Sequence, residues 1–178
     1  MLPSTFSISP LHRAALVVYT NTHMRTFVFN KLVRDKILKQ MEEAGDVVKW
    51  HRLDDEAFGA ELIKKLEEEL DELDEEFGKN RERDLGELAD VAEVYEAAWD
   101  VVDRDEHYDI LADAMEEMDK GIDVWEISPE ELLAAKDAKN EKVGAFKLRI
   151  YIETVSVSDD SPWLERYLAS PEKYPEVA

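Results

Sequence analysis

Glu69, Glu72, Glu87 and Asp90 form two E-x-x-[ED] pairs with 14 residues between them. A spacing of three sets both members of a pair on one helix face, a turn apart. On a wheel for residues 55–77, Leu62, Leu66, Leu70, Leu73 and Phe77 make one apolar stripe. Glu67, Glu68, Asp71, Asp74 and Glu75 lie away from it and read as a solvated face, whereas Glu69 and Glu72 flank the stripe. The wheel for residues 81–102 is apolar over most of its circumference, with Glu82, Glu93, Glu96 and Asp100 as its polar arc. Glu87 and Asp90 fall inside the apolar arc. If the two helices form a hairpin about Lys79 and Asn80, Glu72 comes level with Glu87 and Glu69 with Asp90. The two layers then lie ~11 and ~16 Å from the turn.

Carboxylates gathered in a partly apolar setting repel one another and resist ionisation. A divalent cation removes that conflict. Oxygen ligands without cysteine or a spaced histidine set point to Mg²⁺, with Mn²⁺ as the alternative, rather than zinc. Mg²⁺ retains water and shares its shell with substrate phosphates. The competing reading is a plain acidic surface, since a chain with 43 acids contains such pairs by chance.

The elements that must position these groups follow from the pattern. "FVFNKLV" is a short extended entry and a helix spans about 33–43, stopped at Gly45. "VVKWHRL" (47–53) is a strand. Asp54 or Asp55 caps a helix to about Phe77, "GKN" breaks it, and the next helix runs from Arg81 to about Val102. Residues 106–120 form a helix ended by Gly121, and "SPEE" (128–131) starts one that reaches Lys142. "AFKLRIYIETVSV" alternates as a strand, and the tail, with prolines at 162, 171 and 175, is irregular. The expected class is all-α, a bundle of four to five helices with a minor β element. Residues 1–24 are an N-terminal extension or lie behind an upstream start, 25–156 are the domain, 103–125 are an insertion within it, and 157–178 are a C-terminal appendage.

The chain has 178 residues and a net charge of −21. That charge disfavours nucleic acid polymers and anionic membranes, but a small phosphate ligand accompanied by a cation remains compatible. No run approaches the ~18 apolar residues of a membrane span. Absence of cysteine fits a cytoplasmic setting.

Four segments resemble one family. "FNKLVRDKI" (29–37) is similar to "NKLVRDKIP", "KLEEELDEL" (65–73) to "KLxEExxEL", "GELADVAEV" (86–94) to "EELADVLEV", and "KNEKVGAFKLRIYI" (139–152) to "KxxKRGGFEKRIxL". These mark the phosphoribosyl-ATP pyrophosphohydrolase-like branch of the all-α nucleoside triphosphate pyrophosphohydrolases, the MazG-like superfamily. They occur in order over about residues 27–153. Leu38 stands in place of a proline, and Val143 and Ala145 replace Arg and Gly of "RGGF".

The resemblance implies Mg²⁺ on Glu69, Glu72, Glu87 and Asp90, which would be the catalytic set. It also implies cleavage between the α- and β-phosphates of a nucleotide and assembly as a homo-oligomer, a dimer or tetramer. Lys31, Arg34 and Lys36 cluster in an otherwise acidic chain, as the neutralisation of phosphates requires. On a helix Arg34 and Lys36 face apart, so Lys31 and Arg34 are assigned to substrate and Lys36 to solvent. Asn30 joins them through the resemblance. Lys139 and Lys142 also suit a helix C-terminus; Lys142 is retained as a substrate candidate. The expected function is Mg²⁺-dependent pyrophosphohydrolysis of a (deoxy)nucleoside triphosphate in nucleotide-pool house-cleaning. The alternatives are phosphoribosyl-ATP hydrolysis in histidine synthesis and a non-catalytic acidic helical interaction module.

Overall fold

The computed structural model describes residues 24–75 and 77–177. The expected N-terminal extension lies outside them, except Met24, which opens the first strand. The elements run β1 (Met24–Val33), α1 (Ile37–Glu43), β2 (Val47–Arg52), α2 (Asp55–Asp74), α3 (Arg81–Trp99), α4 (Tyr108–Trp125), α5 (Pro129–Val143), β3 (Ile150–Ser158) and α6 (Leu164–Ala169).

The long helices start where short polar side chains satisfy free backbone N–H groups. Asp54 Oδ1 accepts from Ala57 N at 2.9 Å, Asn80 Oδ1 from Arg83 N at 3.0 Å and Ser128 Oγ from Glu131 N at 3.1 Å, with Pro129 opening α5. Leu62, Leu66 and Leu73 of the α2 stripe are fully buried against Leu88, Val91 and Val94 of α3.

α4, within the expected insertion, packs into the domain core. Its Leu111 and Ala114 belong to the same core as the α2–α3 pair. The helix also passes through Gly121 to Trp125 instead of stopping there. A Cβ on Gly121 would come within 2.7 Å of the Leu88 side chain, so the glycine serves close packing of two helices and not a helix stop.

The expected helical class holds in part, with more β structure than a minor element. The protein is mostly helical, but β1, β3 and β2 form a three-stranded antiparallel sheet in that order. The sheet has its own core of Phe27, Met41, Ile152 and Val155, joined by Tyr167 and Tyr174 from the tail. Residues 157–177 are therefore no irregular appendage. β3 extends to Ser158, α6 follows, and Val28 N donates to Pro175 O at 2.8 Å.

The extended entry is a full strand whose last pair is Val33 with Ile150. This pairing delays α1 to Ile37 and leaves Arg34, Asp35 and Lys36 in the connecting turn. Asp35 N donates to Ala145 O at 2.7 Å and Lys36 N to Val143 O at 2.9 Å. Gly144 makes that approach feasible: its φ is +85°, and a Cβ there would lie 2.9 Å from Cβ of Asp35. The strand expected from Ala145 begins only at Ile150 because residues 145–149 make this junction.

Candidate active site

The α2–α3 hairpin brings carboxylates together as its register requires. One oxygen each from Glu69, Glu87 and Asp90 lies within 4.8 Å of the others. Glu72 is not in that group: its Oε1 accepts from Lys173 Nζ at 2.9 Å. Three of the four expected ligands thus converge, and the fourth faces the tail.

Burial pushes the Glu69 carboxyl above its usual range, against the opposing charge of Lys65. Burial also raises Glu87, and Asp90 and Glu72 add to this against Lys139. Glu69 is 7% exposed, which explains why desolvation dominates there.

The carboxylates are not alone, which corrects the premise that only a metal could relieve them. Lys65 Nζ donates to Glu69 Oε1 at 2.5 Å, one turn along α2. Asp90 is held from two sides, by Arg34 Nη2 at 2.6 Å and by Lys139 Nζ on α5. Glu87 has the weakest partner, Arg83 Nε at 3.9 Å. The wheels of α2 and α3 alone omit α5, the β1–α1 turn and the tail, where most of these cations reside.

Lys31 reaches the site as expected, though its partner is Glu68. Glu68 therefore faces the pocket and not solvent. Burial pushes it up, but Lys31, Lys65 and Lys173 together hold it below the usual range.

Arg34 also lies at the site, for a reason other than a helix face, since it precedes α1. Its guanidinium donates to Asp90, to Asn140 Oδ1 at 2.7 Å and to Gly144 O at 3.1 Å, and it stacks 5.2 Å from the Phe146 ring centroid. Lys36 turns away and donates to Glu141 O. Lys142 lines the pocket, and its carbonyl accepts from Gln40 Nε2 at 3.0 Å.

Asn30 is elsewhere. It is exposed, at φ +46°, where the β1–β3 register shifts between Val28 and Lys31, and it neither caps α1 nor lines the pocket.

Glu93 departs from its expected place in the polar arc. It is 6% exposed and accepts from Asn140 Nδ2 at 2.5 Å, because α5 covers that side of α3. Asp84 was not singled out in the sequence and is fully buried. It accepts from Gly78 N at 2.7 Å and Trp125 Nε1 at 2.9 Å, which ties the hairpin turn to the end of α4.

Lys31, Arg34, Glu69, Asp90 and Lys139 line a cavity of about 550 Å³, of a size suited to a small-molecule ligand. Its walls carry seven Lys or Arg side chains against four carboxylates, in a chain of net charge −21. A local cationic surplus in so acidic a molecule attracts compact anions. The Glu69–Glu87–Asp90 oxygens suit a hard cation: three carboxylate donors, no sulfur or imidazole, and one buried member whose ionisation a cation would favour. No described helix is long and apolar enough to cross a membrane.

The chain matches no protein-family model, no curated protein and no solved structure.

Proposed function

We propose that the protein is a Mg²⁺-dependent nucleotide pyrophosphohydrolase, cleaving a (deoxy)nucleoside triphosphate between its α- and β-phosphates to a monophosphate and pyrophosphate. The observation that carries this is the oxygen triad of Glu69, Glu87 and Asp90 beside a cation-rich cavity. The four resembling segments support it, since "NKLVRDK" and "KVGAF" pack against each other beside the two acidic helices.

Glu69, Glu87 and Asp90 would hold the metal, with Mn²⁺ as its substitute. When bound, the metal supplies Lewis-acid polarisation of phosphate oxygens and of water. Lys31 and Lys139 then have a second use: cations that rest on carboxylates in the free protein transfer to the incoming phosphates. Glu72, outside the triad, is the group that accepts the proton of the attacking water. Lys142 stands on the wall as a further phosphate contact. Metal and nucleotide bind together under this scheme, because a divalent cation alone adds positive charge to a pocket already in cationic surplus.

Assembly as a homo-oligomer belongs to the same proposal. Trp99 is 41% and Leu133 53% exposed on an apolar groove between α3, α4 and α5, which a second subunit would cover.

The test is pyrophosphate release from a nucleotide panel that includes modified bases and phosphoribosyl-ATP, with Mg²⁺ and with EDTA. Metal-dependent release supports the proposal, and silence across the panel sinks it. One observation favours the second reading, a non-catalytic helical interaction module: Glu68, Glu69, Glu72 and Asp90 each already hold a lysine or arginine. Such a module would fail the same assay while keeping its fold.

A further inference from the structure

The resembling stretch ends near residue 153, yet the pocket does not. Arg166, Ser170 and Lys173 line it from the C-terminal segment. Two of these are cations, and each immediately precedes a core tyrosine. Tyr167 is 1% and Tyr174 4% exposed. The Phe27 and Tyr167 ring centroids are 5.2 Å apart, those of Phe29 and Tyr174 5.1 Å. Beyond them, Val177 N donates to Thr26 O at 2.8 Å. Arg166 and Lys173 are thus placed on the pocket by buried neighbours and by backbone pairing, unlike a lysine on a free tail. Holding them there forfeits less side-chain freedom on binding.

The three cations nearest Tyr174 belong to one cluster. Lys31 Nζ lies 5.7 Å and Arg166 Cζ 5.9 Å from its ring centroid, and Lys173 adjoins it in sequence. Lys31 is held on Glu68 and Lys173 on Glu72. Arg166 has no carboxylate partner among the described residues, and its polar contact is the Tyr174 hydroxyl at 3.3 Å. Converging cations with one left unpaired repel each other unless an anion joins them. Glu69 and Asp90 of the triad line the same cavity, so it holds both oxygen donors and tail-built cations.

We propose that the C-terminal segment, through Arg166 and Lys173, is a polyphosphate-binding wall that takes the phosphates distal to the nucleoside. This rests on the pyrophosphohydrolase reading for its choice of substrate, and on the cation geometry for its anion. An arginine presents paired N–H donors that match phosphate oxygens, and a lysine adds a point charge. A nucleic acid polymer is repelled by the charge of −21, whereas a short polyphosphate chain fits within the cavity. Specificity for triphosphate over monophosphate then resides in a segment outside the resembling motifs.

The experiment is calorimetric binding of inorganic tripolyphosphate and of a nucleoside monophosphate, with Mg²⁺, to the full chain and to R166Q/K173Q. Circular dichroism and thermal melting establish that the variant is folded. An R166K/K173R variant keeps charge and tests for a merely structural effect. The expected result is a loss of about ten-fold or more in tripolyphosphate affinity, a change below about two-fold for monophosphate, and retained binding in the charge-conserving variant. Unchanged tripolyphosphate affinity in R166Q/K173Q overturns the inference, and so does equal weakening of both ligands. If the full chain releases no pyrophosphate from any nucleotide but the variant still loses tripolyphosphate, the wall stands and the hydrolytic reading falls. If hydrolysis is present and tripolyphosphate binding is indifferent to the variant, only the wall falls.

Discussion

Arg34 Nη2 donates to Asp90 Oδ1 at 2.6 Å, joining the β1–α1 turn to α3 across 56 positions of sequence. Arg34 is 7% exposed and also satisfies Asn140 and Gly144, so its donors are engaged within the protein. Its role is to hold Asp90 in place and close the α5 junction, more than to offer a free guanidinium to phosphate. Arg34→Lys keeps the charge but loses the planar fork, stranding acceptors in a buried place. We expect a stability loss of about 2–3 kcal/mol in urea unfolding, in line with a broken buried charge-assisted set. We also expect turnover to fall more than nucleotide binding. A variant with native stability would show that lysine reaches the same acceptors.

Glu87 is the triad member with the loosest protein partner, Arg83 Nε at 3.9 Å. Removing its charge therefore disturbs little in the free protein and removes a donor from the candidate metal site. Glu87→Gln is expected to abolish Mg²⁺-dependent pyrophosphate release while thermal stability in EDTA stays level or rises, since repulsion with Asp90 and Glu72 falls. In the native chain, saturation with Mg²⁺ and nucleotide at about a hundred times their dissociation constant should add about 2.7 kcal/mol of stability. Near-normal turnover of Glu87→Gln at saturating Mg²⁺ would remove Glu87 from the site.

The hairpin register of α2 and α3 was legible because spacing, the "GKN" break and the leucine stripe all specify one geometry. It correctly brings Glu69 to Asp90, which are level across the turn. Glu68 was misplaced because a wheel measures distance from one stripe, and β1 and the tail cover a second side of α2. Lys65 stands four residues before Glu69, a spacing that permits their ion pair but does not require it, and Lys139 was marked only by the motif it sits in. Lys173 and Arg166 carried no signal: they lie among prolines, and their direction is set by Tyr167 and Tyr174, whose partners are more than a hundred residues away in β1. The end of α4 was misplaced because Gly121 reads as a helix stop when the Leu88 side chain pressing on it is unseen.

The raised carboxyls of Glu69 and Glu87 make a pH prediction for the metal-free protein. Their folded-state pKa values lie above the unfolded ones, chiefly through burial. Their contribution to stability is therefore fully present below the ordinary glutamate pKa and is lost as pH rises through the folded values. Glu68, held low by Lys31, runs the other way: its contribution is present above the ordinary value and is lost as pH falls through the folded one. In EDTA, Glu69→Gln should gain stability relative to the native chain as pH is raised from the ordinary glutamate pKa toward neutrality. Lys31→Gln should lose least at the acid end. Urea midpoints across that range check both, and a Glu69→Gln difference independent of pH would show that burial does not burden this carboxyl.

Gly121 and Leu88 supply the last prediction, which concerns the scaffold alone. Alanine at an interior helix position is favoured over glycine by about 1 kcal/mol. Here the added Cβ would stand 2.7 Å from Cδ1 and Cδ2 of Leu88. Leu88 is fully buried and packed between α2, α3 and α4, so it has no vacant space to rotate into. Overpacking of this kind costs about 1–3 kcal/mol and acts on the helix-packing contact itself. The clash outweighs the propensity gain, and Gly121→Ala should lose about 1–2 kcal/mol net. Pairing it with Leu88→Ala removes the obstacle, so the double variant should be more stable than the sum of the single losses predicts. A double-mutant cycle by urea unfolding measures that coupling. Simple additivity would mean that α4 shifts away from α3 to admit the methyl group, and the close approach would then not be what requires glycine at this position.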